Sequence, residues 1–229
     1  MNKTATVLFA VLFLFAVLFP FAAAPQNPDL PPVQRQVRDQ TMISQELPSA
    51  DLTFGKDFQY VGGQVVNLYG NADAEQHLFV KTAGSGPVQA FYWVQFEHFL
   101  PTNQYTYDYK PDRTTDIGGL QFIYDVKSFT DYTVVLHDPR SDSAAIGSLL
   151  ARHSLAFPRR AARVRMFHLP TPDRRTELMI IYGEAVPDDS HLPAGDDGVR
   201  LDEVSPEAAK VFLEHARQGL TIRKHAKPS

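Results

Sequence analysis

The chain has 229 residues, with 22 Lys and Arg against 26 Asp and Glu, a formal net charge of −4 and no cysteine. This mild acidity argues against a nucleic-acid partner, which calls for a basic domain. The lack of thiols excludes disulfides, cysteine nucleophiles, thiolate zinc sites and iron–sulfur clusters, so stability has to come from an apolar core.

Residues 1–24 are the first segment. Lys3 is their only charge, 7–19 are almost pure Val, Leu, Phe and Ala, and Ala22-Ala23-Ala24 supplies small residues. A basic start, an apolar centre and an A-x-A site read as a secretory signal peptide. Export to a periplasmic or extracellular compartment is the expectation, and removing Lys3 leaves 21 basic against 26 acidic residues, a net of −5. Pro25 follows the cleavage site directly, and a prolyl ring restricts the residue before it. The alternative is an uncleaved anchor: 5–24 would make about 30 Å of helix, enough to cross a bilayer. That anchor is the only membrane contact expected. Residues 25–50 carry Pro25, Pro28, Pro31, Pro32 and Pro48 around a Gln-rich middle, which reads as an extended spacer with a short helix at 33–43.

A single globular domain is expected over 51–219. Aromatic and β-branched runs predict strands at 52–60, 64–69, 77–82, 90–100, 103–110, 120–126 and 132–136. Gly62-Gly63, Gly70-Asn71 and Gly84-Ser85-Gly86-Pro87 read as turns. The period then changes: Ala145, Ile146, Leu149, Leu150 and His153 share one helical face, with Ser141 or Asp142 as cap. Strands at 162–169 and 176–186 flank Pro170-Thr171-Pro172-Asp173, an antiparallel hairpin. An acidic loop, 187–200, leads to a helix over 205–218. Ser205 caps it, Pro206 takes its first position and Gly219 ends it. Ala208, Val211, Phe212, His215 and Ala216 are its expected buried stripe. A basic tail covers 220–229.

Strands in succession, not alternating with helices, exclude a doubly wound parallel sheet. The predicted class is α+β: a mainly antiparallel sheet, twisted or partly closed like a barrel, with one internal and one C-terminal helix packed on it.

Alternation along 90–100 places Tyr92, Val94, Phe96 and His98 on one face and Phe91, Trp93, Gln95, Glu97 and Phe99 on the other. An even connection would lay Tyr105, Tyr107 and Tyr109 beside Val94, Phe96 and His98, and this is the expected register. Large aromatics mixed with Gln95 and Glu97 resemble a small-ligand pocket; the bland alternative is a helix covering Phe91 and Trp93 with Glu97 at the rim. Phe91, Trp93, Gln95, Glu97, Phe99 and Tyr107 are therefore the candidate ligand-binding residues. Arg163, Arg165, Arg174 and Arg175 form a candidate anion-binding or docking group, unless they pair with the acidic segment behind them. The eight histidines show no metal-ligand spacing, and neither a nucleophile elbow nor a Gly-rich phosphate loop occurs. No cofactor is expected, and no residue is singled out as catalytic.

The leading functional expectation is an exported, non-catalytic domain that binds a small apolar or amphipathic molecule or a lipid. One alternative is a hydrolase whose dispersed site joins Glu97 or Asp108 to a histidine. Another is a cell-envelope interaction module that docks through the arginine-rich hairpin.

Overall fold

The computed structural model describes residues 30–110, 112–187 and 202–226. The signal segment and almost all of the acidic loop lie outside these residues. In chain order the elements begin with β1 (Gln36–Arg38), β2 (Thr41–Ser44), β3 (Ala50–Phe54), β4 (Gln59–Leu68), β5 (Ala72–Lys81) and β6 (Gly86–Pro87). Next come β7 (Ala90–Phe99), β8 (Thr114–Ile117), β9 (Leu120–Phe129), a 3-10 turn (Tyr132–Leu136) and α1 (Asp142–Arg152). β10 (Leu155–Ala156), β11 (Ala161–His168), β12 (Thr176–Ala185), β13 (Asp202–Glu203), α2 (Pro206–Gln218) and β14 (Leu220–Lys224) complete them.

An eight-stranded antiparallel sheet runs β13-β9-β11-β12-β7-β5-β4, with β8 added against β9. Its path does not return on itself, so the sheet is open and no barrel closes. The reason lies in what covers it. One face packs Phe91, Trp93, Phe167 and Ile181 under Ile146, Leu149 and Leu150 of α1 and Tyr132 of the 3-10 turn. The opposite face packs Phe79, Tyr92, Val94, Phe96, Leu178 and Ile180 under a second sheet, β1-β2-β3-β14, together with α2. With both faces covered, the central strands read as nearly continuous apolar runs, and closure is not needed to bury them. Gly183 illustrates how tight the first face is: a Cβ there would stand 2.2 Å from the Phe91 ring.

The second sheet uses residues that read as spacer and as tail. Residues 36–44 form β1 and β2, not a short helix, and 220–224 form β14 against β3. The 103–110 segment, expected as a strand, is an irregular strap. Gly62-Gly63, expected as a turn, runs through β4 with a register shift between Tyr60 and Gly62. The 132–136 run is a 3-10 turn capped by Asp131, not a strand.

The helix ends match their sequence signals. Ser141 accepts from Ala144 N and Ser205 from Ala208 N, with Pro206 in the first turn and Gly219 as C-cap. The buried face of α2 is turned from the predicted stripe. Ala209 and Ala216 are its buried residues, Ala208, Phe212 and Leu213 are partly covered, and Val211 stands 52% exposed. The Tyr92 hydroxyl sets this orientation by donating from the core to Ala216 O at 2.7 Å.

Candidate functional site

The candidate site starts from a physical demand. Gln64, Gln76 and Gln95 are register partners on β4, β5 and β7. Gln76 and Gln95 are fully buried, and a buried amide without a partner costs about 1–3 kcal/mol. The three amides answer one another. Gln64 Nε2 donates to Gln76 Oε1 at 2.9 Å, Gln76 Nε2 to Gln95 Oε1 at 2.9 Å, and Gln95 Nε2 to Glu97 Oε2 at 2.7 Å. Arg152 of α1 starts the row by donating to Gln64 Oε1 at 2.8 Å, and Gln76 Nε2 also reaches Asp142 O at 3.2 Å. The row therefore also fastens α1 to the sheet. Its dipoles all point one way and end on a carboxylate.

Glu97 accepts a second bond, from the Tyr107 hydroxyl to Oε1 at 2.7 Å. Directly across the β7–β12 register lies Glu177. Glu177 is 2% exposed, its Oε2 has no hydrogen-bond partner, and Tyr109 lies beside it. Burial, reinforced by the neighbouring Glu97 charge, pushes the Glu177 carboxyl up to about 8 against the pull of Tyr109 and Arg165. Burial also raises Glu97, opposed by its bonds from Tyr107 and Gln95. Neighbouring desolvated carboxyls disfavour each other's ionisation. Glu97 has two donors and Glu177 Oε2 has none, so Glu97 is the better placed of the two to carry charge.

The strap supplies the aromatic wall. Phe99 stacks on Tyr107 at 4.6 Å, Tyr107 on Tyr109 at 5.9 Å and Tyr109 on Phe167 at 4.3 Å. The tyrosines thus meet the Glu97 and Phe99 face, opposite to the register expected from an even connection. The arginines decide this. Tyr107 N donates to Arg174 O, Arg174 Nε donates back to Tyr107 O, and Arg175 donates to Tyr105 O and Leu100 O. These side chains fix the strap regardless of strand periodicity. Arg163 is buried over the Phe129 ring, and Arg165 forks onto Asp125. All four candidate docking arginines are thus engaged with their own chain.

Phe91, Trp93 and Gln95 lie buried beneath α1 and the 3-10 turn, while Glu97, Phe99 and Tyr107 sit at the end of the sheet. There Glu97 and Phe99 border a cleft of about 300 Å³ with Leu68, Tyr69, Tyr105 and Asp142. A larger hollow of about 420 Å³ lies by the N-terminal segment. Its central charges are already joined: Arg35 N and NH1 donate to Glu75, whose Oε1 also meets His77 Nε2 at 2.8 Å. Tyr60 closes that row at 3.0 Å from His77 Nδ1, against Gly63, where a Cβ would stand 2.8 Å from the Tyr60 oxygen. Burial alone would raise Glu75, but the His77 and Arg35 bonds outweigh it and hold the carboxyl at about 2.

No protein family, curated protein or solved structure matches the chain.

Sequence reasoning missed Gln76, Glu177 and two further groupings. Glu184 accepts from Tyr182 at 2.5 Å and meets His215 Nδ1 at 3.0 Å. Ser49 Oγ lies 2.9 Å from His225 Nδ1, and His225 Nε2 lies 2.7 Å from Asp51 Oδ1. The i, i+2 spacing of Glu75 with His77, and of Ser49 with Asp51, was a visible signal, because such residues share a strand face. Carboxylate and imidazole do meet in this protein, but not at Glu97, and Asp108 stands 97% exposed on the strap. Among the described residues no three His, Asp or Glu side chains gather as a metal site requires.

The two displaced carboxyls have opposite effects on stability. Glu177 has a raised folded-state pKa, so its contribution is complete below about 4.5 and is lost as pH rises through about 8. Glu75 has a lowered one, so its contribution is present above about 4.5 and is lost as pH falls towards about 2. Glu177→Gln should flatten the decline of the urea midpoint between pH 5 and pH 9, by roughly 1–3 kcal/mol at the alkaline end after structural relaxation. Glu75→Gln should flatten only the acid limb. An alkaline slope unchanged in Glu177→Gln would contradict the assignment.

Proposed function

We propose that this is an exported domain that binds one small amphipathic molecule in the cleft at the end of the large sheet. The observation that carries the reading is the composition of that cleft. Leu68, Phe99 and Tyr105 offer apolar surface on a small hollow that also holds a carboxylate fixed by two donors. An apolar concavity with a few oriented polar groups is the usual form of a small-molecule site. The apolar part of the ligand lies on Phe99 and Tyr105 and its polar end reaches Glu97. The apolar N-terminal segment supports export, and Trp93, at 1% exposed, would report on the seating of α1 and not on the cleft. The test is calorimetric titration with a panel of aromatic and short-chain amphiphiles, with the contact mapped by amide chemical shifts. Saturable binding should perturb Leu68, Ala72 and Phe99. Phe99→Ala and Tyr105→Ala should each weaken it by about ten-fold, the loss expected from roughly 1.4 kcal/mol of contact. Saturable binding that maps elsewhere, or none across the panel, overturns the reading.

A second reading, acyl transfer, is favoured by the row Ser49–His225–Asp51. A carboxylate only accepts, so Asp51 accepts from the N–H at His225 Nε2, and the tautomer with a free Nδ1 lone pair is the one that can accept from the Ser49 hydroxyl. Arg223 holds the other Asp51 oxygen at 2.6 Å. Register places these groups: β14 pairs with β3 so that Arg223 faces Asp51, and His225 N donates to Ser49 O. In the reaction the Ser49 oxygen bonds to an ester carbonyl carbon and its proton passes to His225. The proton then leaves with the alcohol, and water releases the acid. An alkyl fluorophosphonate should add its phosphonyl mass at Ser49, and His225→Gln should slow the labelling by about a hundred-fold or more. Labelling spread over other serines, or unaffected by His225→Gln, removes this reading.

A further inference from the structure

We infer that the ligand of the Glu97 cleft is a small organic cation, an alkylammonium or quaternary amine carrying an apolar group. This rests on the binding reading above and names its chemical class. Three independent features carry it.

The first is charge. The lining of the cleft contains Glu97 and Asp142 and no lysine, arginine or histidine. Asp138 next to it is already matched, accepting from the Tyr69 hydroxyl at 2.8 Å and pairing with Arg140 at 3.7 Å. Asp142 is partly committed to the first turn of α1, where Ser143 N donates to its Oδ1 at 2.6 Å. Glu97 has spare capacity: a carboxylate offers about four lone-pair sites, and Tyr107 and Gln95 use two. The N–H of an alkylammonium can take another without displacing either donor, and a quaternary ammonium, which has no N–H, meets the carboxylate by charge alone. An anion would meet two carboxylates with no compensating charge.

The second is the exposed rings. Among the described residues four large apolar side chains are exposed: Leu47, Tyr69, Tyr105 and Val211. Two of the four, Tyr69 at 48% and Tyr105 at 56%, line this one cleft. Ring faces attract cations through their quadrupole. Arg140 already stands 5.0 Å over Tyr69 and Arg175 6.0 Å over Phe99, which leaves the Tyr105 ring as the face for a ligand cation.

The third is the source of the negative charge. The groups facing Glu97 are Tyr107 from the strap, Glu177 from β12 and Asp142 from α1, with Tyr109 and Arg165 next to Glu177. Glu97 also borders the hollow by the N-terminal segment, where Arg35 is held by Glu75 and Arg175 by the carbonyls of Tyr105 and Leu100. Glu97 is the better hydrogen-bonded of the two carboxyls and lines the cleft, so a cationic ligand is its natural counter-ion. At about 300 Å³ the cleft sits at the small end of ligand pockets, so the ligand is compact.

The test uses the exported chain and three probes of matched shape: benzyltrimethylammonium, its uncharged isostere neopentylbenzene, and phenylacetate. The cation should bind at least about ten-fold tighter than the hydrocarbon, the ratio for roughly 1.4 kcal/mol of charge recognition. Phenylacetate should not compete. Glu97→Gln should abolish the preference, so that within this variant cation and hydrocarbon bind with equal affinity whatever the absolute value. Asp142→Asn, which keeps the glutamine row intact, should reduce the preference about two- to five-fold. Lowering the pH should also erode it, as Glu97 takes up a proton. If cation and isostere bind equally, the inference falls and the binding reading stands. If the cation fails to bind, the inference falls, and the binding reading falls with it only if neopentylbenzene also fails.

Discussion

A row of three amides, two of them fully buried, is the constraint from which the rest of this structure follows. Gln76 and Gln95 can be buried only if each carbonyl and each NH₂ finds a partner, and with the half-buried Gln64 they find one another. Such a row must end on groups that can close it. Arg152 closes one end and Glu97 the other. In a low-dielectric interior, hydrogen bonds aligned in one direction polarise one another, so donor strength accumulates towards Glu97. Those bonds work against the burial that raises the Glu97 carboxyl at the margin of an apolar sheet.

The layering protects this arrangement. α1 covers the row and is fastened by it, since Arg152 and the Asp142 carbonyl lie at opposite ends of the helix and both join the row. The smaller sheet and α2 cover the other face, so the strands carrying the glutamines are rigid on both sides. Glu177 completes the electrostatics. It cannot ionise beside Glu97 without leaving a second charge out of water, and burying an uncompensated charge costs several kcal/mol. Burial and the Glu97 neighbour thus favour a proton on Glu177, on the interior side, and leave Glu97 as the carboxyl that lines the cleft.

What the sequence revealed divides along local and non-local lines. The capping of α1 by Ser141, both ends of α2 and the β11–β12 hairpin rest on residues within a few positions of each other, and all were legible. The candidate residues Glu97, Phe99 and Tyr107 do come together, but on the face opposite to the expected one for the tyrosines. Strand alternation could not reveal that, because Arg174 and Arg175 hold the strap from about 70 residues away. The second sheet was hidden for a similar reason: 36–44 and 220–224 are short, mixed in polarity and far apart, and become strands only by pairing β1 with β2 and both β2 and β14 with β3. Without that sheet, barrel closure was the obvious way to bury the second face. Gln64, Gln76 and Glu177 each look like ordinary polar strand positions, and only cross-strand register turns them into one network.

The central claim is that Glu177 holds its proton well above the usual carboxylate range while Glu97, with two donors, is the one of the two that carries charge at the cleft. Carbon-13 detection of the two side-chain carboxyls across pH 4 to 9 tests it directly. The account predicts that the pair loses its protons in two separate steps, with the later one centred on Glu177 at about 8 and the earlier one changing mainly the Glu97 signal. Both carboxyls ionising together in the ordinary range near 4.3 would contradict it.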